Sequence, residues 1–328
     1  MKLPLVSVVM PTFNSERFVT EALYSLIGQN YPRFELIVVD GGSTDRTVEI
    51  LESHMGGDED NLRVIKLSRE EGSMPKSLNR GLKEAQGEFI ARMDADDVAM
   101  PTRLADQVHF FATQPEISLI GTGADLIWDG SGACRNPQWH ADIEDAYLIN
   151  NPFFHPTIMF RRELYDNGIY YYREDQPCEE DYELWGRLIG QVVCANLDKS
   201  LLQYRIHGQN AQWDPRRHAA KTEALTEFCR DYRINNPALV DALVEIQCSG
   251  FLRYEDYQLL LDYTREVDAQ RAEELAEEAR MGPAQLAAKR KLRKKRLPRL
   301  GWIHDALVQE KSYADFQAWY RNARGWSA

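Results

Sequence analysis

At 328 residues the chain is long enough for one large domain or two ordinary ones, and 44% hydrophobic with 27% charged residues is the composition of a globular protein with a core. A formal net charge of −12 argues against a general nucleic-acid binder, so no nucleic-acid partner is expected. No apolar run approaches the roughly 18 residues that span a bilayer, and the cysteines at 134, 178, 194, 229 and 248 are scattered, as expected of reduced thiols in a cytoplasmic protein. In chain order, residues 5–10 read as a buried strand, since they meet Pro11-Thr12-Phe13-Asn14 without a signal-peptide cleavage site. Phe18, Val19, Ala22, Leu23 and Leu26 recur at helical spacing. A second strand is expected over 34–39, a helix over 45–54, a third strand over 62–67, a helix over 75–85 and a fourth strand over 88–93. Pro101 is placed as the first residue of a helix over 102–112. This alternation predicts an α/β fold, a mostly parallel central sheet covered by helices on both faces. The pattern is less regular over 117–161. A helix over 181–189 and short strands over 192–195 and 201–206 follow. From about 215 the pattern is helical, which suggests one domain over 1–212 and a helical C-terminal region over 213–328.

Ligands of open α/β sheets sit beyond the carboxyl ends of the strands, and three chemically loaded segments fall there. The fourth strand runs into Asp94-Ala95-Asp96-Asp97. Carboxylates this close repel and raise one another's pKa, and a divalent cation relieves the repulsion. Oxygen ligands without adjoining cysteine favour Mg2+ or Mn2+; a polar turn is the alternative reading. The second strand ends in Asp40-Gly41-Gly42-Ser43-Thr44-Asp45, where Asp40 can accept hydrogen bonds from a nucleoside and the glycines admit a close approach, or where Ser or Thr simply caps the next helix. Glu179, Glu180 and Asp181 precede a helix with Leu184, Trp185 and Leu188 on its apolar face. They either serve as bases or meet the positive end of the helix dipole. His155 is a candidate acceptor contact or a packed core residue. The run 289–299 carries eight basic side chains in eleven residues, suited to a solvated face or to an anionic membrane surface.

Taken in order, Ser7-Val8-Val9-Met10-Pro11-Thr12-Phe13-Asn14, Glu35-Leu36-Ile37-Val38-Val39-Asp40-Gly41-Gly42-Ser43, Ser77-Leu78-Asn79-Arg80-Gly81, Asp94-Ala95-Asp96-Asp97, His155-Pro156-Thr157, Glu180-Asp181-Tyr182-Glu183-Leu184-Trp185 and Tyr204-Arg205-Ile206-His207 resemble the motifs of family 2 glycosyltransferases over about residues 5–210. The resemblance implies a GT-A fold, a Rossmann-like nucleotide-sugar-binding half joined to an acceptor-binding half. It implies that Pro11, Thr12, Phe13 and Asp40 contact the nucleoside of a donor, most readily a UDP-sugar. Lys76 would neutralise a phosphate. Asp94, Asp96 and Asp97, with His207, would hold Mn2+ or Mg2+ at the diphosphate. Asp181 would be the catalytic base, with Glu180 beside it, in an inverting transfer to a saccharide or lipid-linked saccharide acceptor. The resulting expectation is an enzyme of cell-surface polysaccharide synthesis, cytoplasmic or peripheral on the inner face of the membrane. A catalytically degenerate saccharide-binding or scaffolding relative is the alternative.

Overall fold

The computed structural model describes residues 2–55, 62–127, 133–176, 178–207, 216–248 and 253–278, together with 280–281, 298, 300, 304, 307 and 315–316. The chain divides into two compact units, Met1–Ile143 with Pro152–Asp214, and Glu144–Asn151 with Pro215–Ala328.

In the first unit, β1 (Val6–Thr12) is buried at every position, as a central strand covered on both faces must be. Helix α1 (Val19–Ile27) turns Val19, Ala22, Leu23 and Leu26 into one buried stripe. Strand β2 (Phe34–Asp40), helix α2 (Thr47–Glu52), strand β3 (Leu62–Lys66), helix α3 (Met74–Glu84) and strand β4 (Phe89–Arg92) complete the regular alternation. Helix α3 starts at Ser73, whose side chain accepts from the Lys76 amide, with Pro75 in its first turn. There follow β5 (Val98–Ala99), α4 (Arg103–Thr113), β6 (Leu119–Ile127), β7 (Ala133–Cys134), α5 (His140–Tyr147), a 3-10 turn at His155–Thr157, β8 (Met159–Arg161), α6 (Glu163–Asp166), α7 (Glu180–Ile189) and β9 (Cys194–Arg205). The described strands form one nine-stranded sheet ordered β3-β2-β1-β4-β8-β6-β9-β5, with β7 on β6. It is mostly parallel: β3, β2, β1 and β4 run together, as do β6 and β9, while β8 is inserted antiparallel between β4 and β6.

Three expectations shift. Pro101 lies before α4 rather than inside it, because the Arg103 amide donates to the Met100 carbonyl and closes a turn with proline at its second position. The stretch 117–161 is more regular than its composition suggests. Gly121 and Gly123 belong to β6, whose pairing with β9 shifts register around Gly123. Glycine inside a strand commonly marks such a bulge. The two short strands expected at 192–195 and 201–206 are one strand, β9, whose exposed Asp198 and Lys199 stay extended.

The second unit is helical. Its helices α8 (Arg217–Asp231), α9 (Pro237–Cys248) and α10 (Tyr254–Glu278) bury Leu225, Phe228, Leu243, Val244 and Leu260, among others. Phe228 packs between the rings of Tyr147 and Tyr232, at centroid distances of 4.5 and 4.4 Å, and Gln247 donates to the Leu148 carbonyl at 3.0 Å. No helix among the described residues is long and apolar enough to cross a membrane. The five cysteines are free thiols. Apart from Pro298, the basic run 289–299 lies outside the described residues.

Candidate functional site

Parallel pairing sets Thr12 directly opposite Asp40 at the carboxyl ends of β1 and β2. The Thr12 hydroxyl donates to Asp40 Oδ1 at 3.0 Å, and the amides of Gly42 and Ser43 donate to Asp40 Oδ2 at 3.0 and 2.9 Å. Asp40 is therefore fixed by its own loop, a carboxylate oriented before any ligand arrives. Gly42 sits at φ +87°, and a Cβ there would lie 2.7 Å from the Arg69 backbone, so the turn needs glycine. Asn14, at φ 49°, ties the first loop to the second. Its amide donates to Ser43 Oγ at 2.8 Å and its side chain accepts from the Thr44 amide at 2.8 Å. Pro11 is buried within β1 opposite Val39, and Phe13 is exposed at the mouth. Lys76 is half-buried in the first turn of α3, one residue before Ser77, which packs against Gly41.

One strand over, the Met93 amide donates to the Val9 carbonyl at 3.1 Å, and this carries the chain past β4 into the acids. Carboxylate oxygens of Asp94, Asp96 and Asp97 lie within 4.8 Å of one another. Asp94 forms an ion pair with Arg92, a residue only 4% exposed. Burial pushes the Asp94 carboxyl up to about 6, with Arg92 opposing and Asp96 and Asp181 adding to the rise. Asp97 is 1% exposed; its Oδ1 accepts from the Arg205 amide at 2.8 Å, while its Oδ2 is buried without a hydrogen-bond partner among the described residues. Burial first, then Asp94 and Asp96, hold Asp97 well above the usual carboxylate range. His207 Nε2 lies 2.8 Å from Asp96 Oδ2.

Glu179 has φ 57°, a left-handed conformation that costs a non-glycine residue about 1–2 kcal/mol. It turns the chain so that Glu180 and Asp181 open α7, and Glu179 supplies the carbonyl that receives the Glu183 amide at 3.0 Å. Asp181 acts on the charge of Asp94, and Asp94 and Arg92 act on that of Glu180. The two segments thus share one electrostatic site. Burial and then Asp181 push Glu180 up to about 8 from an ordinary value near 4.5. A folded-state pKa above the unfolded one means that folding favours the protonated form, so stability falls as pH rises from about 4.5 through about 8. In EDTA, the melting temperature should therefore decrease across pH 6–8.5, and Glu180→Gln should flatten that decrease; a parallel slope in the variant would contradict the assignment.

The sequence reading missed Arg92, the buried counter-charge of Asp94. Its signal is an arginine closing an otherwise apolar strand two residues before the acid. It also left Tyr172 unremarked. The Tyr172 hydroxyl meets His155 Nε2 at 2.7 Å and the Tyr170 hydroxyl at 2.9 Å, while Asn79 clasps the Tyr172 backbone at 2.8 and 3.0 Å. His155 is buried in this aromatic nest beside Trp185, and burial holds it neutral, well below the usual histidine range. That places His155 and Trp185 in the packing under the site.

Residues 7–168 match the family model described as Glycosyl transferase family 2. An uncharacterized glycosyltransferase of Haemophilus influenzae is 32% identical, over 80% of this chain and 88% of that protein. The O-antigen biosynthesis glycosyltransferase WbnJ of Escherichia coli is 29% identical, over 71% of this chain and 92% of its own. Residues 1–349 of Staphylococcus aureus TarS, solved in complex with UDP-GlcNAc, superpose with a TM-score of 0.61 at 23% identity, covering 79% of this chain and 80% of that one. The fold is accordingly GT-A.

Proposed function

The chain belongs to the family 2 glycosyltransferases, and from that premise we propose that it moves a sugar from a nucleotide-sugar donor, a UDP-sugar by preference, to a hydroxyl of a saccharide or lipid-linked saccharide in cell-surface polysaccharide assembly. The transfer is cation-dependent and inverting. The observation that carries this reading is the buried, unpartnered Oδ2 of Asp97 inside a group of three carboxylates, one strand away from the Thr12–Asp40 pair. An unpaired buried carboxylate oxygen is costly, and an all-oxygen acid cluster fits a hard cation. Asp94, Asp96 and Asp97 would hold Mn2+ or Mg2+, with His207 at Asp96, and the ion when bound supplies Lewis-acid stabilisation of a leaving diphosphate. TarS was solved with UDP-GlcNAc and WbnJ is named for O-antigen biosynthesis, which supports the donor class and the setting.

The protein's own groups divide the remaining work. Asp40, held by Thr12, Gly42 and Ser43, receives the nucleoside, and Gly41 and Gly42 let it approach the backbone. Lys76 contributes charge on the phosphate side. Glu180, with its carboxyl pushed up to about 8, keeps its proton at neutral pH and can donate a hydrogen bond. That leaves Asp181 to take the proton from the acceptor hydroxyl as it attacks the anomeric carbon, with no covalent enzyme intermediate. The 289–299 run would hold the enzyme at an anionic leaflet, at roughly 1 kcal/mol per basic side chain near the surface. Flotation should retain the protein on anionic vesicles and release it from neutral ones; equal behaviour on both would remove this part.

Nucleotide release tests the whole reading. Incubated with Mn2+, a mixture of saccharide acceptors and a panel of UDP-, GDP- and dTDP-sugars, the protein should liberate nucleoside diphosphate from one donor class as the sugar passes to an acceptor hydroxyl, and EDTA or Asp96→Ala should abolish the release. Turnover that persists in EDTA, or none with any donor, would overturn it.

A further inference from the structure

Asp96 is the most exposed acid of the cluster, and His207 lies against it. Arg205 donates its backbone amide to Asp97 Oδ1 at 2.8 Å and its Nε to the Asp96 carbonyl at 2.7 Å. Its Nη2 reaches Glu21 on α1 at 2.6 Å, and the guanidinium lies 4.6 Å from the centre of the Phe18 ring. Phe18, the residue before α1, stacks on His207 with ring centroids 5.3 Å apart and planes at 28°. His207 returns to Asp96 Oδ2 at 2.8 Å, which closes the ring of contacts. The same end of α1 is fixed to the nucleoside loops, because the Ser15 amide donates to Thr47 Oγ1 at 2.7 Å and the neighbouring Asn14 is bonded to Ser43 and Thr44.

We propose that Arg205 and Phe18 are positioning residues which pre-arrange Asp96 and His207 for the divalent cation and tie that arrangement to the loop that receives the nucleoside. The proposal rests on the reading of the acid cluster as a cation site. Two properties suit these side chains to the task. A guanidinium can hold the Asp96 carbonyl and the Glu21 carboxylate at once while its flat face lies on an aromatic ring, and an ammonium cannot do all three. A ring stacked on imidazole restricts the rotation of His207, so that its Nε2 stays directed at Asp96. Neither Arg205 nor Phe18 would touch the reacting atoms.

The test is Mn2+ binding by the nucleotide-free full chain, read from the electron paramagnetic resonance of free Mn2+, alongside the melting temperature in EDTA. Phe18 is half-buried, so Phe18→Leu keeps most of its packing. It should leave the melting temperature near that of the wild type and weaken Mn2+ by about 10- to 100-fold, the usual effect of losing a group that orients a metal ligand. Arg205→Lys should also weaken Mn2+, because it keeps the charge and loses the fork, and it keeps the proposal testable should Phe18→Leu fail to fold. In turnover, both variants should raise the Mn2+ concentration needed for half-maximal rate and recover near-wild-type kcat at saturating Mn2+. Folded variants that bind Mn2+ as tightly as the wild type would overturn the inference while leaving the cation site standing. A wild-type protein that binds no Mn2+ would overturn both.

Discussion

Asp181→Asn is expected to lower kcat by about 10²- to 10⁴-fold, the range for removing a general base, with donor affinity unchanged. The side chain stays similar in size and can still accept from the Tyr182 amide, which Asp181 Oδ1 receives at 2.7 Å. What disappears is the carboxylate proposed to take the acceptor proton. Since Asp181 contributes to the raised pKa of Asp94, the variant should also ionise Asp94 more readily, which opposes any loss of cation binding. Glu180→Gln is the control: burial and Asp181 favour the protonated Glu180 carboxyl, and an amide can replace the hydrogen bond of a protonated carboxyl, so its effect on kcat should be much smaller. Steady-state kinetics paired with calorimetric titration of the donor separates the two quantities. An unchanged kcat in Asp181→Asn, or a larger loss in Glu180→Gln, would reassign the base.

Arg92→Met should lower stability by about 3–5 kcal/mol, the usual cost of breaking a buried ion pair from one side. The arginine is 4% exposed and carries the direct counter-charge of Asp94. Without it, Asp94 keeps the repulsion of Asp96 and loses its ion-pair partner, and the buried Arg103 is left to offset the cluster's charge from farther off. Urea unfolding in EDTA measures the loss. Adding Mn2+ should restore more stability to the variant than to the wild type, because the ion takes over the neutralising role. The double variant Arg92→Met/Asp94→Leu should recover part of the loss, since it removes the carboxylate that Arg92 pairs directly and lessens the repulsion within the cluster. A double variant no better than Arg92→Met alone would mean that the arginine acts through packing rather than through its charge.

Much of the half built on β1 to β4 can be read from the chain itself. Each of β1, β2 and β4 is a short apolar run that leads into a distinctive polar group, and parallel pairing brings Thr12, Asp40 and the 94–97 acids to the carboxyl ends of neighbouring strands. Less of the second half is legible, because its elements are specified by distant partners. The glycines of β6 are tolerated through pairing with β9, and β8 has three residues that gain their identity between β4 and β6. The acids themselves stand out, but their environment does not. Arg92 looks like the end of a strand until burial is known, and nothing in Glu179-Glu180-Asp181 reveals that one carboxyl is pushed up to about 8. Phe18 reads as an ordinary apolar residue at a helix start. Its link to His207 spans nearly the whole catalytic unit, a separation across which local pattern carries no information.

The proposed site shared by cation and nucleotide at the strand ends is tested most directly by isothermal titration of UDP with and without Mn2+, in wild type and Asp96→Ala. In the wild type, Mn2+ should tighten UDP by roughly tenfold or more, within the usual range for coupled ligands, and Asp96→Ala should bind UDP equally with and without the ion. UDP affinity indifferent to Mn2+ in the wild type, or an enhancement that survives in Asp96→Ala, would contradict the account.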